Sequence, residues 1–299
     1  MLSRVRSLYD MFRHSWNNNA RIQINSWGNQ NLAGDYSAGS RSADSFLVDY
    51  PRFLVLFSAG DLASGGITPP GTAKNVLTVG ASTTGAYGST PEGNVASSSS
   101  RGTTSDGRIK PDVTAPGSWV RSCRSHDSAD TGGSSWTSQW YLEYSGISMA
   151  APNAAGASVL IREYLMEVAG RPSPQGALIK GMLILGAEDT GSRDIPNMNE
   201  GWGRVNLANS LIPGTDTGVW VDDRNPVRRS QTREYQFNLS RGNTPFKAVL
   251  TWSDYPGSTW SSTQLQNNLD MVITAPDGTI YKGNDFANGR STTGGDADD

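Results

Sequence analysis

Two charge-free runs of strand length, Phe53-Leu54-Val55-Leu56-Phe57-Ser58 and Val76-Leu77-Thr78-Val79-Gly80-Ala81, restrict this chain more than any other feature. Neither alternates between apolar and polar residues, which is the pattern of a strand buried on both faces. A strand of that kind needs helices on either side. Helical spacing is present at Leu8, Met11, Phe12 and Trp16, and Ser42 to Tyr50 also reads as a helix. Arg21 to Gly28 reads as a further strand running into a glycine turn. Strands alternating with helices predict an α/β fold, a parallel sheet with helices on its faces.

A Ser/Gly/Thr-rich stretch from Ser82 to Gly107 reads as loop, and a second polar loop runs from Ser125 to Trp136. Met149 to Ile161 contains no charged residue, so this helix is expected to be buried all round, with Pro152 in its first turn. Arg162, Glu163 and Glu167 mark its return to solvent, and another helix spans Pro174 to Leu185. Composition changes after Pro213. Tyr235 to Leu239 and Phe246 to Trp252 alternate with period two, as half-buried antiparallel strands do. Leu269 to Thr274 and Thr279 to Tyr281 flank Ala275-Pro276-Asp277-Gly278, a hairpin turn. The expected organisation is an α/β domain over 1–213 and a smaller all-β, jelly-roll-like sandwich over 214–299. Four strands make a thin sandwich, so the second domain is expected to be incomplete.

Charge excludes several partners. The net charge of -3 gives no electrostatic case for nucleic acid or an anionic membrane. Arg224, Arg228, Arg229 and Arg233 are diluted by Asp222, Asp223 and Glu234 and read as a solvated edge. The single cysteine, Cys123, rules out an intrachain disulfide. No apolar run approaches the roughly 20 residues of a membrane span, and the amino terminus lacks the apolar core of a signal peptide. A chain that opens inside an amphipathic helix is expected to lack what precedes it.

Chemistry concentrates at Ser148, in Gly146-Ile147-Ser148-Met149-Ala150-Ala151-Pro152. A serine hydroxyl attacks a carbonyl well only when a base takes its proton and donors hold the oxyanion. Ser148 opens a long helix, which supplies the positive end of the helix dipole and an N–H without an intrahelical partner. Its small neighbours leave room for a peptide. On the local pattern alone, Ser148 reads equally as a helix N-cap.

The wider sequence resembles the subtilases, the family of subtilisin-like serine endopeptidases. The serine segment is similar to the family's Gly-x-Ser-Met-Ala-x-Pro, and its companions follow in the family's order. Asn25-Ser26-Trp27-Gly28 resembles the strand on which subtilases lay the substrate backbone. Phe57-Ser58-Ala59-Gly60-Asp61 resembles the S1-pocket wall that ends in the oxyanion-hole asparagine, and Lys110 to Gly117 and Gly201-Trp202-Gly203 also match. The carboxy-terminal region is similar to the β-domain of alkaline subtilases. The resemblance implies a three-layer sheet and hydrolysis of polypeptides through an acyl-enzyme on Ser148. It also implies a monomer, secretion, and no cofactor for the chemistry. Structural calcium is a further implication, with Asp254, Asp270, Asp277 and Asp285 as acidic residues beside carbonyl-rich turns and no ligand set assigned.

Two departures qualify that expectation. The family's aspartate and histidine precede the substrate-binding strand, and no His-Gly-Thr-His-like segment is present. The only histidines, His14 and His126, read as surface residues, so the triad is not completed within the chain. Asp61 stands where the family has asparagine; a carboxylate repels an oxyanion and donates to it only when protonated. Three readings follow: an incomplete secreted endopeptidase, a catalytically inactive subtilase-like protein that binds peptides along Asn25 to Gly28, and a binding module whose β-domain carries the function.

Overall fold

The computed structural model describes residues 7–86, 91–125, 138–211, 217–240, 242 and 245–295. Helix α1 (Leu8–Asn17) starts at Ser7, whose side chain accepts from the Asp10 N–H. Strand β1 (Ile22–Asn25) follows, then α2 (Ala38–Asp49), which Ser37 and Ser40 close with a reciprocal capping box. The two charge-free runs form β2 (Leu54–Ser58) and β3 (Leu77–Ser82), and every residue of both is buried. A small antiparallel pair, β4 (Gly102–Thr103) with β5 (Ile109–Lys110), leads to β6 (Val113–Pro116). Strands β1, β2, β3 and β6 form one parallel sheet in that order, with Ile22 opposite Leu54, Leu56 opposite Leu77 and Val79 opposite Val113. Its β1 edge is open among the described residues.

Period two along β2 builds three layers. Leu54 and Leu56 pack with α3 (Ile147–Glu167) and α4 (Gly176–Gly186), while Val55 and Phe57 pack with Phe12 of α1 and Ala43, Phe46 and Leu47 of α2. The predicted α/β class is therefore the one observed. An antiparallel pair, β7 (Val120–Cys123) with β8 (Tyr141–Tyr144), precedes α3, and a short α5 (Leu207–Leu211) packs against α4.

Helix α3 departs from the expectation of burial all round. Its Ala150, Ala154, Ser158 and Ile161 face the core, but Val159 and Leu160 are 52% and 49% exposed, and Pro152, Asn153 and Gly156 are exposed with them. Absence of charge was a poor guide because no described element covers that side. The helix also begins earlier than expected, so Pro152 lies in its second turn. A residue there would ordinarily donate to the carbonyl four positions back, Ser148. Proline cannot, and that carbonyl instead accepts from the Ser26 hydroxyl at 3.4 Å.

The smaller region contains antiparallel β-structure, in the hairpin β9 (Val272–Thr274) with β10 (Ile280–Lys282) and the short pair β11 (Phe286–Ala287) with β12 (Arg290–Ser291). The other two expected strands, 235–239 and 246–252, form no ladder among the described residues. Alternation predicts a strand only if another strand supplies its hydrogen bonds. Here the aromatic side chains meet one another instead: Trp220 lies 4.9 Å from Tyr235 and 5.3 Å from Phe237.

This segment is anchored on the α/β region. Val219, Val221 and Val249 pack on the α3–α4 core, and the Thr251 hydroxyl donates to Ala177 O at 2.7 Å. Lys74 Nζ donates to Asp254 Oδ2 at 2.5 Å, to Tyr255 O at 2.6 Å and to Gln264 O at 2.5 Å. Asp254 does not fit the calcium role, because an ammonium already occupies its carboxylate and two nearby carbonyls. Asp277 accepts from Thr279 N and Asp285 from the Thr292 hydroxyl, and Asp270 is exposed. Among the described residues no group of three His, Cys, Asp or Glu side chains is placed to hold a metal. Lys74→Ala is expected to lower stability by about 2 kcal/mol, the scale of a hydrogen bond to a charged group. Urea denaturation would measure it, and limited proteolysis would show earlier cleavage between residues 254 and 267.

A second buried cluster lies at the start of β3 and β6. Asp112 is paired with Lys110 at 2.6 Å and Lys180 at 2.8 Å. Burial, helped by Lys180 and opposed by Asp112, pushes the Lys110 ammonium down to about 7. The folded value lies below that of the unfolded chain, so folding costs most while both states are protonated, below about pH 7. Above it the folded protein sheds a proton the unfolded chain retains, and stability is expected to rise towards about pH 10. Denaturant midpoints across that range would show the rise, and Lys110→Met would flatten it.

Candidate active site

The cleft forms where β1 and β2 end and α3 begins. Gly146, the N-cap of α3, has φ +147°, a conformation suited to glycine, and provides no side-chain cap. Its N–H donates to Gly117 O at 2.7 Å, and Asn153 Nδ2 donates to Pro116 O at 2.8 Å, fixing the first turns of α3 to the end of β6. Ser148 is therefore the second residue of the helix and not its N-cap. Among the described residues nothing hydrogen-bonds to its hydroxyl, which is free to act elsewhere.

A cavity of about 210 Å³ opens beside it, lined by Ser26, Trp27, Gly28, Ser58, Gly60, Asp61 and Ser148. Seven of the nine expected site residues thus meet in one hollow. The other two do not line it. Asn25 is 3% exposed, its Nδ2 donating to Leu56 O at 3.2 Å, and Ala59 is fully buried. Both hold the backbone that carries their neighbours: Ala59 N donates to Val79 O, and Ala59 O accepts from Thr68 N, each at 2.9 Å. Trp27 is half-exposed and stands edge-on against Phe57, ring centroids 5.3 Å apart, so the cleft wall rests on the core.

Gly60 has φ +114°, and a Cβ there would meet Ser100 Oγ and Thr68 Cγ2, both at 2.7 Å. This tight turn delivers Asp61 to the cavity. Ser100 fixes it, donating its N–H to Gly60 O at 2.7 Å and accepting from Leu62 N at 3.0 Å. Asp61 is exposed, and its Oδ1 accepts from Ile147 N at 3.4 Å. The carboxylate thus takes up an orphan N–H at the start of α3, the work Gly146 cannot do as a cap. Here Asp61 is an acceptor that lines the same cavity as Ser148.

Gln30, Thr68 and Ile147 also line the hollow and were not among the expected site residues. Ile147 lies inside the serine segment and was legible there. Thr68 reaches the site from a loop with no local signature. His14 is exposed on α1, its Nε2 3.4 Å from Asn18 Nδ2, and His126 lies outside the described residues. A larger hollow of about 520 Å³ between α3 and α5 is lined by Leu160, Tyr164, Val168 and Leu211 among others, and contains no serine, histidine or cysteine.

The profile of the peptidase S8 subtilase family matches residues 3–203. The serine protease AprX of Bacillus subtilis is 37% identical over 150 residues, covering 50% of this chain and 32% of AprX. The serine protease/ABC transporter B family protein tagD of Dictyostelium discoideum is 24% identical, covering 88% of this chain and 22% of its own length. This chain therefore spans about a fifth of tagD and a third of AprX. The maturation protease PatA shares the fold, with a TM-score of 0.53 at 20% identity over 69% of this chain and 68% of PatA. Among the described residues no helix is long and apolar enough to cross a membrane.

Proposed function

We propose that this chain, which belongs to the subtilase family, hydrolyses peptide bonds through an acyl-enzyme on Ser148, with a general base contributed by polypeptide outside these 299 residues. One observation carries the proposal: Ser148 stands in the first turn of α3 at the mouth of a cavity walled by the Ser26–Gly28 and Ser58–Gly60 segments. An extended peptide laid along Ser26 to Gly28 would present a carbonyl to the Ser148 hydroxyl. The base removes the hydroxyl proton as oxygen attacks, returns it to the leaving amine, and then activates the water that releases the acyl group.

The β1 edge, open among the described residues, and the exposed apolar Val159 of α3 support docking of a base-bearing segment on this region. We place the action outside the cell, by a monomer, on the strength of the family alone. These 299 residues by themselves are expected to be proteolytically silent. The test compares peptide turnover by this polypeptide with turnover by the protein extended through its upstream reading frame. Turnover that requires the extension and is lost on Ser148→Ala supports the proposal. Turnover by the shorter chain, lost on Ser148→Ala, would overturn its silence, and a silent extended protein would overturn the catalytic reading. One observation favours a second reading, a non-catalytic peptide-binding protein: the Asp61 carboxylate faces the place where an oxyanion needs a donor.

A further inference from the structure

The cavity beside Ser148 carries a charge that its surroundings do not answer. Its lining consists of the hydroxyls of Ser26, Ser58, Thr68 and Ser148, the Gln30 amide, the Trp27 ring and neutral backbone, with Asp61 the single ionisable side chain. No salt bridge among the described residues involves Asp61. Its Oδ1 is engaged by Ile147 N at 3.4 Å, a weak contact with one backbone donor. At about 210 Å³ the hollow has room for a long, unbranched side chain. Such a hollow, with one anionic end and hydroxyls along its walls, suits a cationic side chain. The stem of a lysine or arginine would lie against the Trp27 face and its head would meet the carboxylate.

We infer that Asp61 is a specificity-determining residue which makes this cleft select polypeptides bearing a lysine or arginine beside the bond presented to Ser148. The inference rests on the proposed peptide cleft and does not need the missing base, because it concerns binding. Asp61 faces the hollow across α3's first turn. A cation there also relieves the repulsion that the carboxylate would exert on a developing oxyanion. Exposure limits the strength of the pair, so the gain is modest and sensitive to salt.

Fluorescence anisotropy with the 299-residue protein tests this, using dye-labelled neutral hexapeptides in which a single Lys or Arg is walked along the sequence, against matched peptides carrying norleucine or citrulline. At low salt the best-placed cationic peptide is expected to bind about five-fold more tightly than its neutral match, with the difference shrinking in 0.5 M salt, on the scale of an exposed charge pair. Asp61→Asn keeps an oxygen for the Ile147 N–H while removing the charge, and is expected to abolish the difference. Equal affinity for cationic and neutral peptides, or a preference that persists in Asp61→Asn, would overturn the inference and leave the peptide cleft standing. Failure of every peptide to bind the folded protein would instead overturn the cleft itself. Should Asp61→Asn not fold, the salt dependence of the wild-type preference decides: a difference unmoved by salt counts against Asp61.

Discussion

Ser148→Ala, made in the protein extended to include its base, is expected to lower kcat by about 10⁶-fold, the loss known for the nucleophile of subtilisin, a member of the same family. The geometry says why the loss should be so large. Ser148 Oγ is the one hydroxyl at the mouth that is attached to the helix whose dipole faces the cavity. The hydroxyls of Ser26 and Ser58 belong to strand ends and are no substitute. Subtilisin lacking its triad still exceeds the uncatalysed rate by about 10³–10⁴, through its oxyanion hole and binding. In this protein that residue of activity should fall at or below the lower end, since Asp61 offers an acceptor in place of a donor. Burst kinetics with an activated ester, followed by single-turnover measurement on the variant, would separate loss of acylation from loss of binding. A variant that retains a tenth of the activity would show that another group is the nucleophile.

Asp61→Asn is expected to act in the opposite sense, raising kcat of the extended enzyme on neutral substrates by about 10²–10³. That is the worth of one oxyanion donor, again a value set by subtilisin. An asparagine at this position keeps an oxygen for Ile147 N and turns an N–H towards the cavity. Gly60 and Ser100 hold the turn in either case, so the exchange alters charge and donor count with little change in shape. The gain should appear in kcat more than in KM, because the donor acts on charge that develops only in the transition state. A slower variant would mean that the carboxylate has a catalytic task of its own. The same substitution should erase the preference for cationic peptides. Its two effects are therefore separable, one read from turnover and the other from binding.

Much of this was legible in the sequence. The runs at Phe53 and Val76 required a sheet covered on both sides, because a strand with no polar alternation has no face to give to water, and β2 and β3 are buried throughout. The serine segment and its ordered companions named seven of the residues that meet at the cavity, and the departure at Asp61 could be read directly from the sequence. Local chemistry was sufficient for these features. They depend on which side chain stands at which position along one segment.

Tertiary structure decided what depends on partners from elsewhere in the chain. Absence of charge predicted a fully buried α3, yet burial depends on what packs opposite, and Val159 and Leu160 face solvent. Alternation predicted strands at 235–239 and 246–252, but a ladder needs a second strand within hydrogen-bonding distance, and none stands there among the described residues. Asp254 looked available for a cation until Lys74, far away in sequence, proved to occupy it. Pro152 was visible as a proline, but only the helix's starting point showed that it releases the Ser148 carbonyl to Ser26. The sequence by itself determined the class of fold and singled out Ser148 as the candidate nucleophile, since both follow from short-range pattern. Where the open face lies, and what Asp61 confronts, were settled by folding, which sets surfaces distant in the chain against one another.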